Sequence, residues 1–191
     1  MRWNRPLILA SKSPRRSQLL SQAGFEFTIH TKDTEESYPS HLLPEQVPSF
    51  LAEKKAVACQ SFIQEDAVLI AADTIVIQTG TIYEKPTDRA DAVRILSTLS
   101  GNMHEVITGV CLLSKDKKVI FSGHSKVFFA PISSAEIDYY IDTYQPYDKA
   151  GAYAIQEWIG LCKIIKIEGT YANIMGLPVD LVYGQLMEHF Q

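Results

Sequence analysis

A short polar turn near the N terminus carries the most chemically suggestive residues of this chain. Residues 7–10 are apolar, and they are followed by Ser11-Lys12-Ser13-Pro14-Arg15-Arg16. Ser13 as N-cap and Pro14 at the first helical position predict that a helix begins at this turn. Its free backbone N–H groups, hydroxyl groups and guanidiniums would suit a bound phosphate. The turn therefore indicates an anion site, although a helix start with surface arginines has the same local pattern.

Acidic residues in two places are candidates for metal binding or acid–base chemistry. Asp73 interrupts an apolar run, where a buried carboxylate without a partner would destabilise the fold by several kcal/mol. Two interpretations fit Asp73: a structural salt bridge or helix N-cap, or a ligand for a hard divalent cation with Glu36 as a second carboxylate. Glu35 and Glu36 lie in an acidic loop, so solvated loop carboxylates are the plainer interpretation of that pair.

The candidate cations besides the arginines are Lys55 and Lys85. Taken singly, a lysine on a helix face and a lysine before a proline are ordinary solvated residues. Taken with the arginines and the carboxylates, they would suit a phosphate chain bound through a metal ion. The sequence has no P-loop, dinucleotide-binding or nucleophile-elbow motif, which lowers the weight of those mechanisms.

The composition limits the classes of protein that fit the chain. It has 191 residues, of which 46% are hydrophobic, and a formal net charge of −4 at pH 7. That charge argues against binding of nucleic acid or anionic membranes through a broad positive field. No apolar run reaches the length of a signal-peptide core or a membrane span, so we expect a soluble cytoplasmic protein. The cysteines Cys59, Cys111 and Cys162 are odd in number, widely spaced and set in apolar surroundings, which predicts buried thiols rather than a disulfide framework or a metal site.

Strands and helices alternate in the hydrophobic pattern and would position these residues. Strands are predicted at 7–10, 25–30, 67–72 with 75–77, 81–83, 104–113, 119–129 and 162–167. Helices are predicted from Pro14 to a stop at Gly24, and over 44–60, 88–99, 133–143 and 178–190. A hairpin around residues 115–118 excludes a purely parallel sheet. The sequence thus predicts an α/β fold with a mixed sheet.

Five groups of residues stand in order along the chain and cover nearly all of it. They are Leu9-Ala10-Ser11-Lys12-Ser13-Pro14-Arg15-Arg16; Ala72-Asp73-Thr74 with Glu84-Lys85-Pro86; Leu99-Ser100-Gly101 with residues 104–110; Asp148-Lys149-Ala150-Gly151-Ala152-Tyr153-Ala154-Ile155-Gln156; and Gly169-Thr170-Tyr171 with Gly176-Leu177-Pro178. Together they resemble the Maf family of nucleoside triphosphate pyrophosphatases, whose fold is inosine triphosphatase-like. Any one group could arise by chance, whereas five in this order are a strong signal.

The resemblance implies an architecture and a reaction. Residues 1–191 would form a single Maf-like domain, with two lobes around an extended mixed sheet and a central substrate cleft. The implied reaction converts a nucleoside triphosphate to the monophosphate and pyrophosphate, with Mg²⁺ or Mn²⁺ as the divalent metal cofactor. A homodimer is an expectation at the level of the family.

Matched residue by residue, the resemblance also implies the site. The catalytic residues would be Asp73, Glu36, Lys55 and Lys85, with Glu36 and Asp73 also holding the metal. The substrate-binding residues would be Ser11, Arg15, Arg16, Thr74 and Gln156.

The segment ending at Gln156 resembles the family branch that acts on dTTP and UTP rather than the branch that acts on 7-methyl-GTP. An amide suits a pyrimidine imide edge because it donates and accepts hydrogen bonds at once. One departure is that many relatives have glycines after this glutamine, where this chain has Glu157-Trp158. Trp158 is expected to pack on the protein rather than stack on a base. The alternatives are a pyrophosphatase of other base preference and a non-catalytic nucleotide-binding regulator of septum formation.

Overall fold

The chain alternates between strands and helices. A computed structural model describes residues 3–64 and 66–191. The strands are β1 Leu7–Leu9, β2 Thr28–Ile29, β3 Val68–Gln78, β4 Thr81–Tyr83, β5 Met103–Leu113, β6 Lys118–Phe129 and β7 Ile164–Glu168. The α-helices are α1 Pro14–Gln22, α2 Val47–Cys59, α3 Arg89–Leu99, α4 Ser134–Tyr144, α5 Trp158–Lys163, α6 Tyr171–Met175 and α7 Val179–His189. Short 3-10 helices lie at Pro44–Gln46, Gln60–Phe62 and Ala150–Ala152.

Over the described residues the strands pair in one mixed sheet. Their order is β2-β1-β3-β5-β6-β7, and β4 pairs with β3. Strand β1 runs parallel to β2 and β3, whereas β4 runs antiparallel to β3 and β7 antiparallel to β6. The predicted α/β fold with a mixed sheet is therefore confirmed. No helix in the described ranges is both long and apolar enough to span a membrane.

The described residues form two compact units. The first comprises those of Met1–Asp73, Thr108–Gly123 and Gly176–Gln191. The second comprises Thr74–Ile107 and His124–Met175. Strand β3 passes from the first unit to the second between Asp73 and Thr74. The predicted single domain with two lobes and a central cleft stays a prediction.

The core of the first unit packs α2 closely against the sheet. Ala52 and Ala56 of α2 are fully buried among apolar residues of β1, β3 and β5. Gly109 on β5 allows this approach, because a Cβ atom there would lie 2.3 Å from the Pro48 carbonyl carbon. Backbone atoms cannot move aside as a flexible side chain can, so α2 lies this close to β5 only because position 109 is a glycine.

The core of the second unit contains a buried aromatic cluster. His104 and Phe129 lie 4.8 Å apart between ring centroids, and Tyr153 meets both rings edge to face. The Tyr153 hydroxyl is 2.8 Å from His104 Nε2. Burial lowers the pKa of His104 to about 3 and raises the pKa of Tyr153. Both groups are therefore neutral at physiological pH, and the cluster anchors the segment that leads to Gln156.

Local sequence signals predicted several element ends correctly. Pro14 begins α1 after Ser13, and Gly24 follows its end with φ of +81°. The hairpin between β3 and β4 turns at Thr79 and Gly80, which both have positive φ. The capping box at the start of α4 is formed by Ser133 and Glu136, and the Lys163 contact helps lower the pKa of Glu136 to about 2.

Other sequence predictions were wrong in detail. The predicted strand at 25–30 is reduced to Thr28–Ile29. Strand β3 is not interrupted at Asp73 and Thr74, because the carboxylate finds a charged partner and the ladder continues. The predicted strand at 162–167 begins only at Ile164, since the preceding residues form α5. Cys162 consequently lies exposed on that helix, whereas Cys59 and Cys111 are buried as predicted.

Candidate active site

The polar turn before α1 is organised by the hydroxyl of Ser11. Ser11 is buried two residues after the end of β1, and its Oγ accepts a hydrogen bond of 3.2 Å from the backbone N–H of Ser13. The Ser13 side chain occupies the N-cap position without making a capping bond. The Ser11 side chain thus holds the turn between β1 and α1, which places Ser11 and the first turn of α1 together.

Arg16 connects the turn to two other backbone segments. Its Nε donates to the Gly176 carbonyl oxygen and its Nη1 to the Ala72 carbonyl oxygen, each at 2.8 Å. Nη1 also lies 3.3 Å from Ser11 Oγ. Burial is the largest influence on the pKa of Arg16 and lowers it, while the Asp73 carboxylate opposes that effect. The guanidinium stays charged and is held rigidly within the field of Asp73.

Asp73, Lys55 and Glu36 form a compact charged triad. Lys55 Nζ lies 2.5 Å from Asp73 Oδ1 and 2.7 Å from Glu36 Oε1. The Asp73 side chain is 11% exposed and that of Lys55 is 19% exposed, whereas the Glu36 side chain is 46% exposed. The buried carboxylate therefore has the ionic partner that its burial demands. One ammonium shared by two carboxylates leaves a formal excess of negative charge.

Lys55 owes its position to the anchoring of α2. Ser49 Oγ lies 2.6 Å from Ser122 Oγ of β6, and Glu53 pairs with Lys118 of the same strand at 2.5 Å. Lys54, the neighbour of Lys55, donates to the carbonyl oxygen and the hydroxyl of Ser37. The contacts of Ser49 and Glu53 fix α2 on the sheet. The contacts of Lys54 hold the acidic loop that carries Glu36 against the same helix.

The triad suits a divalent cation that also binds phosphate. Within residues 3–64 and 66–191 there is no cluster of three or more acidic, histidine or cysteine side chains that could hold a metal. Mg²⁺ does not need such a cluster, because it binds through one or two carboxylates together with substrate phosphates and water. Asp73 and Glu36 supply two carboxylates whose oxygens face a common point, where Lys55 Nζ now lies. The residues present thus fit the predicted cofactor.

In the second unit, a backbone hydrogen bond links Glu84, the residue before Lys85, to the segment that precedes Gln156. The Gly151 N–H donates to the Glu84 carbonyl oxygen at 3.2 Å. Gly151 has φ of +70°, and a Cβ atom there would lie 2.7 Å from Val76 Cγ2. Lys85 itself is exposed and precedes the buried Pro86. A glycine is therefore needed where this segment crosses β3.

Gln156 is the last residue of the segment whose resemblance to the dTTP and UTP branch predicts pyrimidine selectivity. Its Oε1 is buried and has no hydrogen-bond partner among the described residues. A buried carbonyl oxygen without a partner carries a desolvation cost that a donor on a ligand would remove. The amide is thus suited to accept a hydrogen bond from a base.

A buried network under Gln156 was missed by sequence reasoning. The Tyr140 hydroxyl donates to the Glu157 carboxylate and accepts a 3.0 Å hydrogen bond from the Ala154 N–H. Lys149 Nζ lies 3.5 Å from Glu157 Oε1 and 2.7 Å from Asp148 Oδ1. Glu157 stood out in the sequence as a departure from the family pattern, but nothing in the sequence pairs it with a helix residue 17 positions earlier.

Trp158 packs on the protein, as predicted. Its ring meets that of Tyr139 edge to face with centroids 5.5 Å apart. Lys163 Nζ lies 6.0 Å from the centre of the same ring.

The predicted site residues divide between the two units. The first unit brings together Ser11, Arg15, Arg16, Glu36, Lys55 and Asp73. The second contains Thr74, Lys85 and Gln156. Thr74 follows Asp73 in β3, so its side chain points to the opposite face of the strand.

Comparison with known proteins gives matches over nearly the full chain. The family model described as Maf-like protein matches residues 6–189. A dTTP/UTP pyrophosphatase of Porphyromonas gingivalis is 49% identical over 185 residues, covering 95% of this chain and 93% of that protein. A dTTP/UTP pyrophosphatase of Cytophaga hutchinsonii is 47% identical over 187 residues, covering 98% of this chain and 85% of that protein.

Two further matches extend the comparison. A dTTP/UTP pyrophosphatase of Bacteroides fragilis is 45% identical over 183 residues, covering 95% of each protein. Among solved structures, the Staphylococcus aureus Ham1 protein is similar over 66% of this chain and 72% of its own, with a TM-score of 0.47 and 14% identity. The family model covers nearly all of the chain, the curated relatives are 45–49% identical over most of it, and the chain therefore belongs to the Maf family.

Proposed function

We propose that this chain hydrolyses dTTP and UTP to the nucleoside monophosphate and pyrophosphate. The observation that carries the proposal is the near full-length similarity to proteins named dTTP/UTP pyrophosphatase, at 45–49% identity over 95% or more of the chain. The Asp73, Lys55 and Glu36 triad supports it, because the groups needed for phosphate chemistry are present and in contact.

In the proposed reaction, a water molecule attacks the α-phosphorus of the nucleotide. The new P–O bond forms as the bond to the bridging oxygen of the β-phosphate breaks, and pyrophosphate leaves with that oxygen. Asp73 is the proposed acceptor of the water proton, because it is the buried carboxylate of the triad. Its contact with Lys55 holds the carboxylate oriented for that task.

The cations of the site have the proposed role of neutralising charge on the transferring and leaving phosphates. Lys55, Lys85 and Arg15 would act as donors to phosphate oxygens, with Ser11 and Arg16 shaping the turn that receives them. The backbone contacts of Arg16 support a positioning contribution in addition to its predicted contact with substrate. Thr74 stays a predicted substrate ligand.

Glu36 and Asp73 are the residues that would hold Mg²⁺ or Mn²⁺. When bound, the cation supplies charge neutralisation at the phosphates and favours ionisation of a water molecule. Lys55 keeps the two carboxylates close together, which limits the reorganisation that binding requires. A homodimer of the chain also stays a prediction.

A direct assay tests the proposal. The purified chain is incubated with UTP, dTTP, CTP, dCTP or 7-methyl-GTP in the presence of Mg²⁺ or Mn²⁺, and released pyrophosphate is measured. We expect the fastest release from UTP and dTTP. Faster release from another nucleotide would indicate a different base preference, whereas release from none would indicate a nucleotide-binding regulator.

A further inference from the structure

The network of Tyr140, Glu157 and Lys149 surrounds the backbone that carries Gln156. Tyr140 lies on α4 and is fully buried. Its hydroxyl contacts Ala154 on one side of Gln156 and Glu157 on the other. One side chain therefore links the backbone before Gln156 to the carboxylate of the residue that follows it.

The protonation of Tyr140 defines the direction of these hydrogen bonds. Burial raises the pKa of Tyr140 far above its ordinary value, and the Glu157 carboxylate raises it further. The hydroxyl therefore stays protonated and is the donor in the hydrogen bond to Glu157. Its oxygen lone pairs accept the hydrogen bond from the Ala154 N–H. Lys149 is 8% exposed and lies near the other carboxylate oxygen, so the charge of Glu157 is opposed from within the protein.

An amide needs such support if it is to distinguish uracil from cytosine. Uracil presents a carbonyl oxygen and an N–H at positions 4 and 3, whereas cytosine presents an amino group and a bare ring nitrogen. The two ends of a glutamine amide have nearly the same size, so a mobile amide could meet either base after a half-turn. Discrimination therefore requires that the amide be held in one place and one orientation.

We propose that Glu157, acting through Tyr140, is a positioning residue that holds Gln156 ready to accept from the N3–H of uracil or thymine. The inference rests on the proposed function and names the source of its base selectivity. The buried, unpartnered Oε1 of Gln156 is the acceptor that this arrangement presents. Glycines at the position of Glu157 could not make the contact with Tyr140.

The test compares UTP with CTP, which differ only at the base edge in question. Tyr140→Phe removes the hydroxyl and keeps the ring. We expect the ratio of kcat/KM for UTP to that for CTP to fall about tenfold, the equivalent of one hydrogen bond. We expect KM for UTP to rise, with kcat changed less than about threefold, because the lost contact affects base binding rather than the phosphates. Tyr144→Phe is the matched control, since its ring stacks on Tyr140 with centroids 5.0 Å apart.

A double variant separates positioning from general loss of structure. If Tyr140 acts through Gln156, then Tyr140→Phe combined with Gln156→Ala should have the same UTP to CTP ratio as Gln156→Ala alone. Glu157→Ala should lower the ratio in the wild-type background, and Glu157→Gln should restore much of it by keeping an oxygen acceptor for Tyr140. Glu157→Ala also decides the question if Tyr140→Phe does not fold.

Two results would overturn the inference while leaving the proposed function intact. One is an unchanged UTP to CTP ratio in folded Tyr140→Phe and Glu157→Ala proteins. The other is a fall in the ratio on adding Tyr140→Phe to Gln156→Ala that is as large as its fall in the wild-type background. Absence of pyrophosphate release from UTP by the wild-type protein would overturn both proposals.

Discussion

The charged triad and the Gln156 segment support polar side chains in opposite ways. In the triad, Lys55 is shared by Asp73 and Glu36, and the Glu36 side chain is 46% exposed. Under Gln156, the Glu157 side chain is only 17% exposed and contacts a fully buried tyrosine. Under the proposed function the triad exchanges its internal partners for a cation and phosphates, whereas rearrangement of the buried network would leave buried polar groups without partners.

We therefore expect the triad and the Gln156 segment to have separate roles. Groups that act on phosphates are proposed to change partners when the substrate binds, so they are paired with one another at an accessible place. A group that selects a base must stay where it is, so its supports are in the core. Changes in the triad should therefore affect all nucleotides alike, and changes near Gln156 should affect one base more than another.

The largest expected effect is that of Asp73→Asn. The substitution removes the charge and the proposed proton acceptor but keeps the volume, so we expect kcat to fall by about 10³-fold with the fold retained. Pyrophosphate release and circular dichroism measure the two quantities. Glu35→Gln is the control, because it removes an exposed carboxylate next to Glu36 in the acidic loop. Activity within tenfold of the wild type would remove Asp73 from the mechanism.

Lys55→Met should have the next largest effect. It removes the ammonium that orients both carboxylates and is proposed to neutralise phosphate charge, so we expect kcat/KM to fall about 10²-fold for UTP and CTP alike. The matched control is Lys54→Met, which removes a neighbouring ammonium on the same helix that also holds the acidic loop. Equal losses in the two variants would show that loop anchoring alone explains the result.

Gly109→Ala tests the close packing of α2, the helix that carries Lys55, against β5. The added Cβ would lie 2.3 Å from Pro48 and Ser49 backbone atoms, so we expect a loss of about 2–3 kcal/mol in the free energy of unfolding. This corresponds to a fall in Tm of roughly 5–10 °C for a chain of this size. Gly184→Ala is the control: nothing lies within 4 Å of its Cβ in α7, and alanine favours helix by up to about 1 kcal/mol. An unchanged Tm in Gly109→Ala would contradict the packing described.

Sequence reasoning worked where the controlling interactions are local or where a physical demand is strong. The ends of α1 followed from Ser13, Pro14 and Gly24, which act within one turn. The position of Asp73 in an apolar run required a partner, and the structure provides Lys55. The sequence indicated Lys55 as a candidate cation but could not pair it with Asp73, because the pairing depends on how closely α2 approaches β5 at Gly109.

The supports of Gln156 could not be predicted in the same way. Tyr140 has the pattern of an ordinary buried helix residue, and its hydroxyl finds its partners across the fold. The exposure of Cys162 also escaped prediction, because the short helix α5 replaces the first residues of a run that reads as a strand. Both failures concern interactions between segments that no local pattern encodes.

The smallest expected effect concerns the pH dependence of stability. Burial lowers the pKa of His104 to about 3, below its ordinary value of about 6.5 in the unfolded chain. The unfolded state therefore binds more protons between these values, so stability is complete above pH 6.5 and is lost as the pH falls toward 3. At pH 5 the loss from this group should be about 2 kcal/mol. His104→Gln should reduce the fall in unfolding free energy between pH 7 and pH 5, and an identical fall would contradict the prediction.

The triad is proposed to serve the chemistry, and Gln156 is proposed to serve the choice of base. The most direct measurement is kcat/KM for UTP and CTP in the wild type, Lys55→Met and Gln156→Ala. We predict that Lys55→Met lowers both values and leaves their ratio within about twofold of the wild type, whereas Gln156→Ala lowers the ratio at least tenfold. A Gln156→Ala protein that kept the wild-type ratio, or a Lys55→Met protein that lost it, would contradict the account.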